Sequence, residues 1–183
     1  SSTNKYAVLV AEGTYTGTGS QVVTMKEWVN LFGGYSYSDW SRDVLVNETI
    51  IHGENERGCV YGANNTGIDG FTIKKGHCPS PSSGGGGILC FSASPIISNN
   101  SIVENIANAG GGILYLFLSN PIIYNNLIIN NNAYQGGGIA GLSGNAQIIN
   151  NLILKNSASA YGGGIFCDTG TQYISNNVIG SNY

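Results

Sequence analysis

The chain has 183 residues, of which only 9% are charged, and its formal net charge is −3. Seven lysines and arginines are too few for the basic surface that nucleic-acid binding requires, so no nucleic-acid partner is expected. No apolar run approaches the roughly 20 residues of a membrane-spanning helix, so no membrane span is expected. Glycine (28) and asparagine (23) are abundant and are poor helix formers, which favours a chain rich in strands and turns.

The N-terminal third predicts strands without a regular repeat. Apolar residues favour strands at 6–10 and 29–31, and strand character resumes at 49–51. Between these strands, an excursion near residues 33–47 carries the aromatic residues Tyr35, Tyr37 and Trp40. Large aromatic side chains form either the core of such an excursion or a surface for a sugar or protein partner, and both interpretations stay open.

An internal repeat governs the rest of the chain. Four asparagine pairs recur at steps of 26, 25 and 26 residues, and a glycine run closes each repeat. An isoleucine lies two residues before each pair, a second lies two residues after it, and a further asparagine follows three residues later. The isoleucine columns are Ile97, Ile123, Ile148, Ile174 and Ile102, Ile128, Ile153, Ile179. The asparagine columns are Asn100, Asn126, Asn151, Asn177 and Asn105, Asn131, Asn156, Asn182.

This period predicts one coil of a parallel β-helix per repeat. The apolar residues lack the 3.6-residue periodicity of a helix, and coils stacked about 4.8 Å apart would bury both isoleucine columns. Side-chain amides both donate and accept hydrogen bonds, so the stacked asparagines are expected to form ladders. We predict an all-β parallel β-helix of about six coils in a single domain, residues 1–183. Residues 1–58 would form irregular coils and residues 59–183 the regular repeats.

A degenerate copy precedes the four regular repeats. In this copy, Cys59 takes the place of Ile88 and Ile68 takes the place of Ile97. The step from Ile68 to Ile97 is 29 residues, which is longer than the regular step of 25 or 26. The additional residues are placed in an outward loop at 77–81, which is rich in proline and serine.

The chain resembles the right-handed parallel β-helix, pectate-lyase-like superfamily in three parts. These are residues 8–16, the segment 29–51 and the Gly-Gly-Gly-Ile…Asn-Asn-x-Ile-x-x-Asn repeats. Within this superfamily, the chain is most similar to bacterial surface β-helix-repeat proteins. The resemblance covers nearly the whole chain, and it implies a right-handed solenoid located outside the cell or at its surface. It specifies function poorly, because this fold hosts lyases, hydrolases, adhesins and structural proteins.

Both ends are expected to be uncapped. Members of this superfamily usually begin with a short helix over the first coil, whereas only residues 1–5 precede the first predicted strand. The repeat continues to the C-terminus without a polar cap. Such ends either continue in a longer protein or pair with other subunits.

Enzymes of this superfamily require clustered acids. Lyases bind Ca²⁺ through several carboxylates, and glycoside hydrolases use paired carboxylates. The best group in this sequence is Glu48, Glu54, Glu56 and Asp69, and solvation of loops explains it more simply. We therefore predict no catalytic residue, no metal ligand and no cofactor.

The four cysteines divide into two kinds. Cys90 and Cys167 fall two residues after a repeat isoleucine and are expected to point inward as small core residues. Cys78 lies in the predicted loop between Cys59 and Cys90 and can pair with either, the Cys59–Cys78 disulfide being favoured.

The residue after each repeat isoleucine should point outward and form an apolar column. This column comprises Val60, Leu89, Leu114, Ala140 and Phe166. An apolar column on a soluble protein is covered either by a flanking segment of the same chain or by another subunit, and both interpretations stay open.

Three functional hypotheses follow. The favoured one is a non-catalytic extracellular structural protein, a subunit of a surface assembly or filament that self-associates with further copies or neighbouring β-helix segments. It would do so through its open ends or an apolar face. The second is a carbohydrate-active enzyme or carbohydrate-binding module with a polysaccharide partner, for which residues 35–80 would supply the site. The third is a fragment of a larger surface adhesin.

Overall fold

The fold is built from short parallel strands. The computed structural model describes residues 5–78 and 84–183, and these contain 24 strands and no helix. Most strands are three or four residues long, because turns rich in asparagine, glycine and serine interrupt every apolar run. The strands are numbered β1–β24 in chain order and form four sheets, named A–D in the order in which the chain reaches them.

Sheets A and B contain seven strands each. Sheet A comprises β1 (Tyr6–Ala11), β4 (Val29–Tyr35), β7 (Gly67–Asp69), β11 (Ile96–Ser98), β15 (Ile122–Tyr124), β19 (Gln147–Ile149) and β23 (Tyr173–Ser175). Sheet B comprises β2 (Gly13–Tyr15), β5 (Thr49–His52), β8 (Thr72–Lys74), β12 (Ser101–Val103), β16 (Leu127–Ile129), β20 (Leu152–Leu154) and β24 (Val178–Gly180).

Sheets C and D form the remaining sides of the solenoid. Sheet C comprises β3 (Gln21–Thr24), β6 (Gly58–Tyr61), β10 (Ile88–Phe91), β14 (Ile113–Leu116), β18 (Ile139–Gly141) and β22 (Ile165–Cys167). Sheet D comprises β9 (His77–Cys78), β13 (Ile106–Ala109), β17 (Asn132–Gln135) and β21 (Ser157–Tyr161).

Each turn of the chain adds one strand to successive sheets. From the third turn onward the order is A, B, D, C, whereas the first two turns skip sheet D. The seventh turn contributes β23 and β24 only. The predicted all-β parallel solenoid is therefore confirmed, with about seven turns rather than six. The sequence underestimates the number because the first two turns lack the regular repeat. We call the turns coils 1–7.

The two isoleucine columns point inward and stack in register, one in sheet A and one in sheet B. Their members in coils 4–6 have no exposed surface and belong to one continuous core. Ile174 and Ile179 in coil 7 are 45% and 49% exposed, because no further coil of the described chain packs on them. Removal of this apolar surface from water stabilises the stack by about 25 cal/mol per Å².

Two asparagine ladders run beside the isoleucine columns. Asn100 donates from Nδ2 to Oδ1 of Asn126 at 3.2 Å, and Asn105 donates likewise to Asn131 at 3.0 Å. The same bond continues at 3.0–3.1 Å to the remaining members, Asn151, Asn177, Asn156 and Asn182. Each amide nitrogen also donates to a backbone carbonyl, and each amide oxygen accepts a backbone N–H. The buried amides are thus satisfied by neighbouring coils.

The glycine runs let successive coils approach closely between sheets D and C. Gly110 opens one run with φ at +61°, a conformation that L-residues with a Cβ adopt at a cost. A Cβ at the next position, Gly111, would lie 2.5 Å from the carbonyl oxygens of Asn132 and Gly137 in the following coil. Backbone conformation therefore favours glycine at position 110, and lack of space requires it at position 111.

Coil 2 differs from the predicted alignment by one residue. Val60, not Cys59, pairs with Ile88, so Val60 points inward and is buried instead of pointing outward. Tyr61 takes the outward place beside Leu89. Two adjacent apolar residues fit the inward position equally well, which is why the register was ambiguous. Of the loop predicted at 77–81, residues 77–78 form β9 and residues 79–81 lie outside the described residues.

Candidate functional site

The structure separates the acidic group that could have formed a catalytic site. Asp69 forms an ion pair with Arg42 and accepts hydrogen bonds of 2.6 Å from both Ser98 Oγ and Asn99 Nδ2. Burial by itself raises the pKa of Asp69, but the hydrogen bonds from Ser98, Arg42 and Asn99 outweigh it and hold the pKa below its ordinary value of 3.8. Arg42 also donates to the carbonyl oxygen of Gly33 at 2.8 Å. Asp69 therefore fastens the excursion to sheet A.

The other acids of this group are engaged elsewhere. Glu54 and Glu56 both pair with Arg57, and Glu48 accepts a hydrogen bond of 2.9 Å from Thr72 Oγ1. Among residues 5–78 and 84–183, no group of three or more histidine, cysteine or acidic residues is arranged to hold a metal ion. The predicted catalytic alternative thus gains no support from the positions of these carboxylates.

The aromatic residues of the excursion are divided between packing and exposure. The Tyr35 ring lies 6.3 Å from the Trp40 ring, and the Arg42 guanidinium lies 5.6 Å from the centres of both the Tyr35 and Phe32 rings. Trp40 and Tyr37 remain 54% and 75% exposed. Tyr35 therefore helps to hold the excursion together, while the other two present surface to solvent.

A cleft lies between the excursion and the corner where sheets A and B meet. It has a volume of about 310 Å³ and combines apolar with polar lining. Leu45 on the excursion faces this cleft and is 92% exposed, and Leu127 contributes from sheet B. Glu48, Asn125 and Ser101 supply its polar groups.

The four cysteines are free thiols, so the favoured Cys59–Cys78 disulfide is not formed in this structure. Cys59 belongs to the interior core, with its Sγ 3.3 Å from the carbonyl oxygen of Lys74, whereas Cys78 lies outside that core cluster. Burial raises the pKa of the Cys59 and Cys90 thiols to about 12, which keeps them protonated near neutral pH.

Cys167 is exposed, unlike the buried Cys90 with which it was grouped. The difference arises because β22 is the last strand of sheet C in the described part of the chain, so no strand beyond it there covers Cys167. Its Sγ lies 3.4 Å from the hydroxyl oxygen of Tyr115, which donates to Gln172 Oε1 at 2.7 Å. Tyr115 is fully buried, and its ring occupies the space that a Cβ at Gly141 would need.

The apolar column on sheet C is largely covered by the chain itself. Leu89 and Leu114 are buried in a second cluster with Ala109 and Ala140, against which Leu142 packs. Phe166, at the end of the column, is half-buried and stacks on Tyr161 with ring centres 5.8 Å apart. In coils 3–5 the residues of the column are therefore buried against one another and against neighbouring residues of the same chain.

An apolar groove of about 350 Å³ is lined in part by Leu89 and Leu114 of this column. Its rim carries Phe91 and Phe117, whose ring centres are 4.5 Å apart, and Phe117 is 56% exposed. Phe117 and Leu118 both have positive φ, at 56° and 63°. The turn is held in place by Ser143, whose Oγ accepts the backbone N–H of Phe117 at 2.7 Å.

The outer face of sheet B in coils 4–7 is aliphatic and uncharged. Two outward columns cross it in register: Ser101, Leu127, Leu152, Val178 and Val103, Ile129, Leu154, Gly180. These side chains are partly or largely exposed, and Ser101 and Leu127 also line the cleft beside the excursion. We call these eight residues the B face.

The corner beyond the B face carries the charges of this region. Lys75, Glu104, Asn130 and Lys155 occupy equivalent positions in coils 3–6, all with φ between 53° and 58°. Lys75 pairs with Glu104 at 3.0 Å, while Lys155 is exposed and forms no ion pair within the described part of the chain. Only three charged residues occur in positions 84–183: Glu104, Lys155 and Asp168.

A third polar column was missed in the sequence analysis. It runs along the turns between sheets C and A, where Asn64 Oδ1 accepts the Ser94 N–H at 2.9 Å and Ser94 Oγ accepts the Asn120 N–H at 2.9 Å. Asn120 and Asn145 continue it through bonds of 2.8 and 2.7 Å. The steps from 94 to 120, 145 and 171 are again 26, 25 and 26 residues, so the same period signals it.

The structure defines the class of protein as a parallel β-solenoid. No protein-family model, curated protein or solved structure matches this chain. Within the two described stretches, there is no helix with the length and apolar character needed to cross a membrane.

Proposed function

We propose that this chain is a non-catalytic structural protein, a β-solenoid subunit that assembles with neighbouring molecules through the B face. The observation that carries the proposal is a continuous aliphatic sheet face in a half of the chain that has only three charged residues. Exposed apolar patches of this kind are typical of interaction sites, and a low density of charge removes the repulsion that keeps proteins monomeric.

The internal structure supports the same function. The candidate acids bind Arg42, Arg57 or Thr72, so their contacts stabilise the solenoid and the excursion. The asparagine ladders fix the coils in register and give a stiff scaffold of repeated geometry. A stiff scaffold with an unpartnered apolar face has the properties of an assembly subunit.

Sedimentation velocity tests this function on the full chain. The wild type should sediment faster as its concentration rises over about a hundredfold range, since association follows mass action. The double variant Ile129→Ser/Leu154→Ser should lose this dependence while remaining folded by circular dichroism. Tyr134→Ser, which removes an exposed side chain from sheet D, is the matched control and should associate like the wild type. A wild type that stays monomeric throughout would contradict the proposal.

Carbohydrate binding is the second candidate, and the cleft beside the excursion is the observation that favours it. Its amides, hydroxyls and the Glu48 carboxylate match the hydrogen-bonding groups of a sugar, and Leu45 offers an apolar wall. Calorimetric titration with neutral oligosaccharides should then give binding that Asn125→Ser weakens and Tyr134→Ser does not. Absence of binding to every oligosaccharide would leave the structural function alone.

This proposal includes three further statements about the chain. They are membership of the pectate-lyase-like superfamily, similarity to bacterial surface β-helix-repeat proteins, and an extracellular or cell-surface location. The coil-by-coil repeat and the in-register isoleucine columns support the first two. The same properties fit a segment of a larger adhesin, in which the B face would bind another part of the assembly.

A further inference from the structure

The corner beyond the B face carries an acid and a base at equal distances from coil 5, and the acid, Glu104, also pairs with Lys75 of its own chain at 3.0 Å. Glu104 in coil 4 and Lys155 in coil 6 lie at the same corner, on either side of the neutral Asn130 in coil 5. Coils are spaced about 4.8 Å apart, so each charge lies about 5 Å along the solenoid axis from the level of Asn130. The acid and the base are therefore placed symmetrically and have opposite signs.

The aliphatic columns share this centre. Leu127 and Ile129 lie in coil 5, flanked by the coil 4 residue Val103 and the coil 6 residue Leu154. A second copy turned by 180° about an axis parallel to the strands of coil 5 would place coil 4 of one molecule against coil 6 of the other. The central residues would then pack on their own counterparts, as in an isologous interface.

Only this antiparallel arrangement brings opposite charges together. Glu104 of one copy would face Lys155 of the other in two symmetry-related pairs, one on each side of the two-fold axis. With the two solenoid axes parallel, the strands of the second copy run in the opposite direction, so Glu104 and Lys155 would face the uncharged corner of Asn99, Asn125 and Asn150. Complementary charges across an interface fix its orientation, so charge favours the antiparallel pair.

The backbone supplies an independent reason to assign the charges a role. All corner residues of this column have left-handed φ, which asparagine tolerates better than glutamate or lysine. The neighbouring corner uses asparagine at each equivalent position in coils 4–7, namely Asn99, Asn125, Asn150 and Asn176. Glu104 and Lys155 thus occupy positions where asparagine would be less strained.

We propose that a second copy of this chain packs antiparallel on the B face, with two reciprocal Glu104–Lys155 ion pairs at the edge of the interface. This inference rests on the proposed function and names the partner and its orientation. Sheet-on-sheet packing of aligned strands at about 10 Å separation would bury the aliphatic columns of both copies.

Charge reversal tests the orientation. Glu104→Lys and Lys155→Glu are purified separately as full chains, one of them labelled with ¹⁵N, and analysed by native mass spectrometry alone and mixed. Each variant alone places like charges opposite each other twice, so its dimer should weaken about tenfold or more. The mixture restores both opposite pairs and should form 1:1 heterodimers. Asp168→Lys changes an exposed charge outside the B face and should dimerise like the wild type.

The outcomes separate the two proposals. Weak homodimers together with a strong heterodimer support the antiparallel pair. Variants that dimerise like the wild type, or a mixture that does not recover, overturn the antiparallel pair while leaving association through the B face intact. A wild type without any dimer overturns both the pair and the structural function.

Discussion

At the scale of single residues, the buried amides carry most of the specificity of the fold. Asn126 donates from Nδ2 to the carbonyl oxygens of Ile97 and Tyr124 and to Asn151 Oδ1, at 2.9, 3.0 and 3.0 Å. Its Oδ1 accepts the backbone N–H of Asn100 at 3.0 Å. A buried polar group without a partner costs about 1–3 kcal/mol, so each ladder position fixes the register between two coils.

Replacing Asn126 by alanine should therefore destabilise the protein. Because several buried partners lose their hydrogen bonds, we expect the free energy of unfolding to fall by about 2–3 kcal/mol. Urea titration followed by circular dichroism measures the change. Asn132→Ala, at an exposed position in β17, is the control and should shift the free energy of unfolding by less than about 0.5 kcal/mol. Equal effects at the two sites would show that the ladder does not stabilise the stack.

Asp69 should make stability depend on acid pH. Its folded-state pKa lies below the ordinary value of 3.8, so its contribution is complete above that pH and is lost as the pH falls through the folded-state pKa. Asp69→Asn should lower the free energy of unfolding by about 1–3 kcal/mol near pH 6, and this difference should shrink as the pH falls toward 2. Urea unfolding at each pH measures it.

The control for this pH series is Asp168→Asn, which neutralises an exposed carboxylate after β22. It should follow the wild-type curve within error. A difference between wild type and Asp69→Asn that stays constant from about pH 6 to 2 would contradict the ion-pair assignment, since protonation of Asp69 would then change nothing.

At the scale of the strand, the alternation of side chains decides which residues build the core and which build the B face. In β16, Ile128 points inward and has no exposed surface, while its neighbours Leu127 and Ile129 point outward. Three consecutive aliphatic residues thus have two different roles. Composition alone does not distinguish them, but the position relative to the asparagine pair does.

Two adjacent substitutions test this alternation. Ile128→Asp places an unpaired carboxylate in the core and should prevent folding. Ile129→Asp places the same charge on the outer face and should give a folded, soluble chain with weaker self-association. Circular dichroism and sedimentation velocity measure the two properties. A folded Ile128→Asp variant would contradict the inward assignment.

The strands show how far the sequence predicts the fold and where it fails. The repeated isoleucine and asparagine columns predicted the parallel coils, because regular spacing over four copies allows one consistent alignment. The register of Val60 could not be predicted, because the adjacent Cys59 is also apolar. The Arg42–Asp69 contact joins residues 27 positions apart in an irregular region, so no spacing signalled it. The B face itself was not recognised, because Leu127 and Ile129 resemble core residues in composition.

At the scale of the whole molecule, charge divides the chain into two halves of different character. Residues 1–83 hold fourteen of the seventeen charged side chains, and residues 84–183 hold three. In the first half, Asp69, Glu54 and Glu56 form ion pairs that secure the excursion and a turn. The second half presents a surface of repeated geometry with few charges. An assembly subunit benefits from this division, because a low density of charge weakens repulsion between copies.

Oxidative footprinting of the 183-residue chain tests the central claim, association through the B face, most directly. Hydroxyl-radical labelling followed by mass spectrometry is carried out at low and high protein concentration. The account predicts that labelling of Leu127, Ile129, Leu152 and Leu154 falls as concentration rises. Labelling of Tyr134 and Phe117, which are exposed on other faces, should stay constant. Equal labelling of the B face at both concentrations, or protection only on the other faces, would contradict it.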